Sequence, residues 1–238
     1  MNETEVRERL GAIAAAERRL RRTVESLDDG DLRAPSWCDG WTRGHVLAHV
    51  ALNARSLVNL MDWARTGVET PQYAGWAERE GDIARLSSGS RDEHLRGLDA
   101  ASAEFAAAAA RVPLDRWSFE VRGIGGDLQP AGRFLFARLR EVEIHHVDLR
   151  AGYTPRDWDP GFVRSVLEQV PGRLGPHVEE PFTATAVDAG IDVKVGEGEP
   201  VARVEGPAHV LLAWLLGRGD GDGLGVTGDV LPSLPAWG

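Results

Sequence analysis

Apolar residues Val6, Leu10, Ile13, Leu20, Val24 and Leu27 recur at helical spacing between charged positions, which predicts a helix over 4–27. The stretch "DDGDLRAPSWCDG" (28–40), rich in Gly, Asp and Pro, reads as loop. Thr42 is a natural N-cap for a second helix, 43–66, that stops near Gly67. Residues 68–89 are irregular, with a short helix at 77–86. A third long helix, 91–111, carries the alanine-rich "ASAEFAAAAAR" and ends before Pro113. A loop holding Gly123, Gly125, Gly126 and Pro130 leads to a fourth, 131–151. Four long helices in succession predict an antiparallel bundle.

Beyond 155 the pattern changes. A fifth helix is expected at 159–174. "FTATAVDAGIDVKVGEGEPVARVEG" alternates apolar residues between glycines, the signature of short strands in a small sheet. "PAHVLLAWLLGR" (207–218) opens with proline at a helix start and is mostly apolar, so it is expected to pack as a helix on that sheet. The tail "LPSLPAWG" reads as an extended strap or a frayed end. The expected class is α+β: a four-helix bundle over 1–155 followed by a small α/β domain over 156–238.

Composition narrows the setting. With 238 residues, 42% of them hydrophobic, the chain can bury a sizeable core. Its net charge is −10 and it shows no basic stripe, which argues against a nucleic-acid partner. No apolar run approaches the roughly 20 residues that span a bilayer. The N-terminal "MNETEVRERL" is charged and lacks the apolar segment of a signal peptide. Cys38 is the only cysteine, so neither an intrachain disulfide nor a thiolate zinc cluster is available. A cytoplasmic protein, monomeric and without a membrane partner, is expected.

The chemistry concentrates in "REVEIHHVDL" (140–149). Glu141 and His145 are four apart and share one helix face; Glu143 and His146 are three apart and share another. With Val142 at the centre of the buried stripe, the two pairs flank it on opposite shoulders. Periodicity does not choose between them. The second helix offers His45 and His49, also four apart. Two neighbouring helices can aim two imidazoles and a carboxylate into one cavity, leaving a fourth position open as Lewis-acid zinc sites require. The same spacings also describe solvated ion pairs and hydrogen-bonded core histidines. The pattern is not HExxH, so a metalloprotease is not indicated.

Four blocks, "GWTRGHVLAHVALNA" (40–54), "NLMDWARTGVETPQY" (59–73), "REVEIHHVDL" (140–149) and "LLGRGDGDGLGVTG" (215–228), resemble the mycothiol-dependent maleylpyruvate isomerase family over nearly the whole chain and in the same order. The resemblance implies a DinB-like bundle, a small C-terminal α/β domain and one zinc ion held by His49, Glu141 and His145. It leaves His45, Glu143 and His146 as neighbours. It also implies that Arg79, in "WAEREGDI", and Arg218, in "LLGRGDGDG", serve the active site by binding substrate and cofactor. Arg218 stands out in any case: residues 176–238 hold three basic residues against ten acidic ones. Without the resemblance, Arg218 reads as a cation favoured at a helix C-terminus. Arg79 reads as a loop charge paired with Glu78 or Glu80.

The implied reaction converts the cis alkene of maleylpyruvate to the trans alkene of fumarylpyruvate, as in gentisate-type aromatic degradation. A mycothiol thiolate adds to the double bond, the bond rotates, and the thiolate leaves. Because the thiol is borrowed, Cys38 is expected to be a packed loop residue. Trp37, Trp41 and Trp63 are expected to be core or loop-anchoring aromatics. Other readings of the same features are a mycothiol S-transferase acting on another electrophile, a non-enzymatic ligand-binding protein and a zinc hydrolase.

Overall fold

A computed structural model describes residues 1–124, 126–227 and 230–235. The chain divides into two compact units, Met1–Gly152 and a second beginning at Tyr153.

In the first unit, α1 (Glu3–Glu25), α2 (Arg43–Thr66), α4 (Arg91–Ala110) and α5 (Arg133–Asp148) form the bundle, and the shorter α3 (Trp76–Leu86) lies against α2. Helix α2 packs on α4 and α5, and α1 closes the ring by packing on the same two. Local sequence sets the ends. Asn2, Thr42 and Ser90 each accept from the backbone three residues on, and Glu5, His45 and Glu93 answer in reciprocal capping boxes. Gly67 ends α2 at φ +77°, a conformation that glycine adopts without a Cβ penalty. At the other end of α2, a Cβ on Gly44 would lie 2.1 Å from the Ser87 carbonyl oxygen, so only glycine permits this approach to the turn after α3. Leu20, Val24, Val46, Val50, Leu57, Leu60, Phe105, Leu135 and Val142 fill the core.

The stretch read as loop between the third and fourth long helices contains a short antiparallel hairpin, β1 (Glu120–Arg122) with β2 (Leu128–Pro130). Gly125 lies outside the described residues.

The second unit holds α6 (Pro160–Leu167), α7 (Val170–Leu174), β3 (Phe182–Ala186), β4 (Ile191–Val195), β5 (Ala202–Gly206), α8 (Ala208–Leu215) and β6 (Gly225–Val226). The sheet order is β4-β3-β5-β6; β3 pairs antiparallel with β4 and parallel with β5. The helix expected over 159–174 is divided into α6 and α7, with Pro171 at the start of the second piece, where its missing N–H costs nothing. Helix α8 packs on β3, β5 and α6. Residues 231–235 of the tail carry no helix or strand, and its last three residues lie outside the description. Among the described residues no helix is long and apolar enough to cross a membrane.

Candidate metal centre

Helix α5 carries charge on two faces, one toward α1 and one toward α2. Where α1, α2 and α5 meet, the fully buried Arg138 donates to Glu17 on α1 at 2.8 Å, and to the Val50 carbonyl (2.8 Å) and Asn53 Oδ1 (3.1 Å) on α2. Arg19 pairs with the buried Glu143. Thr23 Oγ1 lies 2.7 Å from His146 Nε2. These contacts fix the rotation of α5, so Glu143 and His146 are spent on the bundle. A buried carboxylate or imidazole left without such partners would be costly.

Glu141 and His145 lie on the stripe of α5 that also carries Arg138, and they face α2. His49 Nε2 lies 2.9 Å from Glu141 Oε2, and His145 Nε2 lies 3.5 Å from the same oxygen. The two rings meet edge to face at 4.6 Å. The other α2 histidine, His45, is drawn away: its Nδ1 accepts from the Thr42 backbone in the capping box that starts the helix.

His145 is braced from behind. Its Nδ1–H donates to Asp148 Oδ2 at 2.8 Å, and Cys38 Sγ lies 3.3 Å from that same oxygen. Asp148 is fully buried, and its carbonyl accepts from the Trp37 backbone at 2.8 Å, tying the end of α5 to the loop before α2. Donor atoms of Cys38, His145 and Asp148 lie within 4.8 Å of one another, as do those of His49, Glu141 and His145.

Arg79 reaches the site from α3. Its Nη2–H donates to His49 Nδ1 at 3.0 Å, it pairs with Glu80, and its guanidinium lies 5.8 Å from the centroids of both Tyr73 and Trp76. The Trp41 ring stands 5.5 Å from His49. Sequence reasoning gave no role to Asp148, Tyr73 or Trp76, and read Trp41 only as an anchor. The aspartate at i+3 from His145 was the one available signal.

Electrostatics sort the three central groups. Burial lowers the His49 pKa and outweighs the Glu141 hydrogen bond, so this ring is neutral. Burial acts to raise Glu141, but hydrogen bonds from His145 and His49 win and hold it well below the usual carboxylate range. Burial acts to lower His145, but its bonds with Asp148, Cys38 and Glu141 win and hold it well above the usual imidazole range.

This donor set fits zinc. Two imidazole nitrogens and one carboxylate oxygen are the ligand types of three-ligand catalytic zinc sites. Ligands of a tetrahedral zinc ion stand roughly 3.3 Å apart, close to the 2.9 and 3.5 Å seen here. The carboxylate behind His145 is the usual second partner of a metal-binding imidazole.

Arg218 belongs to the second unit. It follows Gly217 (φ +69°) just past α8, its backbone N–H donates to the Ala213 carbonyl, and its Nη1–H donates to the Leu216 carbonyl at 2.8 Å. It therefore sits at the helix C-terminus, where the dipole favours a cation.

Fold and site together define a helical-bundle protein with a two-histidine, one-carboxylate centre. The family profile of the mycothiol maleylpyruvate isomerase N-terminal domain matches residues 13–150. Two solved structures, a mycothiol-dependent maleylpyruvate isomerase and a histidine-to-alanine mutant of a protein of that name, each match with a TM-score of 0.91 at 30% identity. Each match covers 98% of this chain and 97% of the other. A comparison with curated protein sequences gives no significant match. The chain belongs to the mycothiol-dependent maleylpyruvate isomerase family.

Proposed function

We propose that this protein isomerises maleylpyruvate to fumarylpyruvate with mycothiol as the thiol and zinc held by His49, Glu141 and His145. The observation that carries the reading is the convergence of these three donors in a chain similar over its whole length to the isomerase structures. Zinc, when bound there, supplies a Lewis acid that favours the thiolate form of a thiol at neutral pH. Everything else is asked of the chain itself. Glu141 and the two imidazoles offer one negative charge toward a divalent cation, and Asp148 holds His145 with its Nε2 toward Glu141. Arg79 and Arg218 take the negative charges of the substrate. One grips a carboxylate through the guanidinium fork, and the other stabilises the oxygen on which charge collects as the double bond opens. Such local positive charge is needed because a chain of net charge −10 repels a dianion. The reading carries a cytoplasmic monomer, and the acidic composition supports the absence of a nucleic-acid partner.

The test is product analysis. Purified protein, zinc and mycothiol incubated with maleylpyruvate should yield the trans alkene, distinguished by the coupling of its vinyl protons. Recovery of unchanged cis substrate, or of a stable thiol adduct in its place, would overturn the assignment.

A further inference from the structure

Arg138 is the largest of the completely buried side chains, and a charge in such a place is costly unless it is paired. Its Nε–H and Nη2–H both donate to Glu17 Oε1 on α1, at 3.1 and 2.8 Å. Its Nη1–H groups donate to the Val50 carbonyl and to Asn53 Oδ1 on α2, at 2.8 and 3.1 Å. One planar group thus ties three helices together at one level. That level adjoins the candidate centre. Arg138 precedes Glu141 by three residues on α5, about 4.5 Å along the helix axis. On α2, Val50 follows His49 directly, and Asn53 lies one turn beyond His49 on the same face.

The centre has a use for such a tie. Glu141 and His145 share α5, so the helix itself sets their spacing. His49 comes from α2, and its place depends on how α2 lies against α5. Apolar packing holds the helices together but is non-directional, whereas a satisfied buried polar network selects one arrangement. We infer that Arg138 is a positioning residue of the centre: by fixing α2 against α5 at the turn beside the ligands, it sets the 2.9 Å approach of His49 Nε2 to Glu141 Oε2. Glu17 completes the device, because its carboxylate neutralises the guanidinium that the crossing of the helices buries. A three-ligand metal site needs this precision, since a binding constellation has to be held within about 0.5 Å of its working geometry. The inference takes the zinc from the isomerase reading, but the placing of His49 against Glu141 stands without it.

The test uses the full chain and two variants of it. Glu17→Met combined with Arg138→Met removes the tie without leaving a lone buried charge, so the melting temperature should stay at or above the wild-type value. Zinc affinity, measured by competition with a chromogenic chelator, should nevertheless weaken about 10- to 100-fold, the range typical of residues that orient metal ligands. Arg138→Lys keeps the charge beside Glu17 but loses the planar fork, and its affinity should fall between the two. A second readout needs no metal. In the stripped wild type the His49 and His145 rings, with centroids 4.6 Å apart, should give a nuclear Overhauser cross-peak between their ring protons, and this peak should weaken in both variants. In whichever variant folds, an unchanged cross-peak would overturn the proposal, as would an unchanged affinity where the wild type binds zinc. A wild type that binds no zinc, with a cross-peak that weakens in the variants, would overturn the metal reading and leave Arg138 in its role.

Discussion

His145 and His146 are sequence neighbours that α5 sends to different partners: His145 Nε2 lies 3.5 Å from Glu141, and His146 Nε2 lies 2.7 Å from Thr23 on α1. This divergence separates metal content from stability. His145→Ala and His49→Ala should each abolish zinc binding and activity together. His146→Ala should keep zinc but cost about 1–3 kcal/mol of stability, through a lost buried hydrogen bond and a small void. Metal analysis and thermal melts of the three variants check this. Full zinc occupancy in His145→Ala would remove the assignment.

Cys38 touches Asp148 Oδ2 at 3.3 Å and bonds His145, on the outer side of the site. A serine hydroxyl can donate to the same oxygen. Cys38→Ser should therefore keep most of the activity, because the nucleophile comes from the added thiol. Steady-state kinetics of the folded, zinc-loaded variant decide the point, and an inactive one would show that Cys38 takes part in the chemistry.

The metal-free protein should be most stable near pH 6.5. His145 has its folded pKa raised above 6.5, so its stabilisation is full below that value and is lost as pH rises through the folded pKa. His49 has its folded pKa lowered below 6.5, so its contribution is lost as pH falls from there. Glu141, depressed well below 4.5, adds a further loss at lower pH. Zinc on His145 Nε2 replaces the proton responsible for the alkaline decline. Melting temperatures across pH 5–9, with and without zinc, should show an alkaline fall in the stripped protein that zinc abolishes. A stripped protein that grows more stable above pH 7 would contradict the charge assignment of His145.

Arg218→Ala should lower kcat/KM about 100- to 1,000-fold, the loss expected on removing one donor to a developing anion, roughly 2–4 kcal/mol. Zinc content and melting temperature should stay nearly unchanged. Arg218→Lys should recover only part, since lysine keeps the charge and loses the planar fork. Kinetics of both variants check this, and near-wild-type activity in Arg218→Ala would remove Arg218 from the reaction.

Local signals were legible in the sequence. Thr42 and Gly67 bound α2 as their cap chemistry requires, and the spacing of Glu141 and His145 places them on one face of α5. What spacing could not decide was which charged face of α5 meets α2. That choice is made by Arg19 and Thr23 on α1, more than 100 residues away in the chain. The part played by Asp148 was hidden for a related reason: an aspartate at i+3 from a histidine is common, and only its complete burial marks it. The β1–β2 hairpin, three residues a side around a glycine-rich turn, is too short for alternation to reveal. The parallel pairing of β3 with β5 depends on non-local contacts that no local pattern encodes.

The most direct test follows the loss of maleylpyruvate absorbance in four parallel reactions: protein with zinc and mycothiol, with zinc alone, with mycothiol alone and with neither. The account predicts turnover only where both are present, and none when His49→Ala replaces the wild type. Equal rates with and without mycothiol, or undiminished turnover in the metal-stripped protein, would contradict a zinc-assisted, borrowed-thiol isomerase.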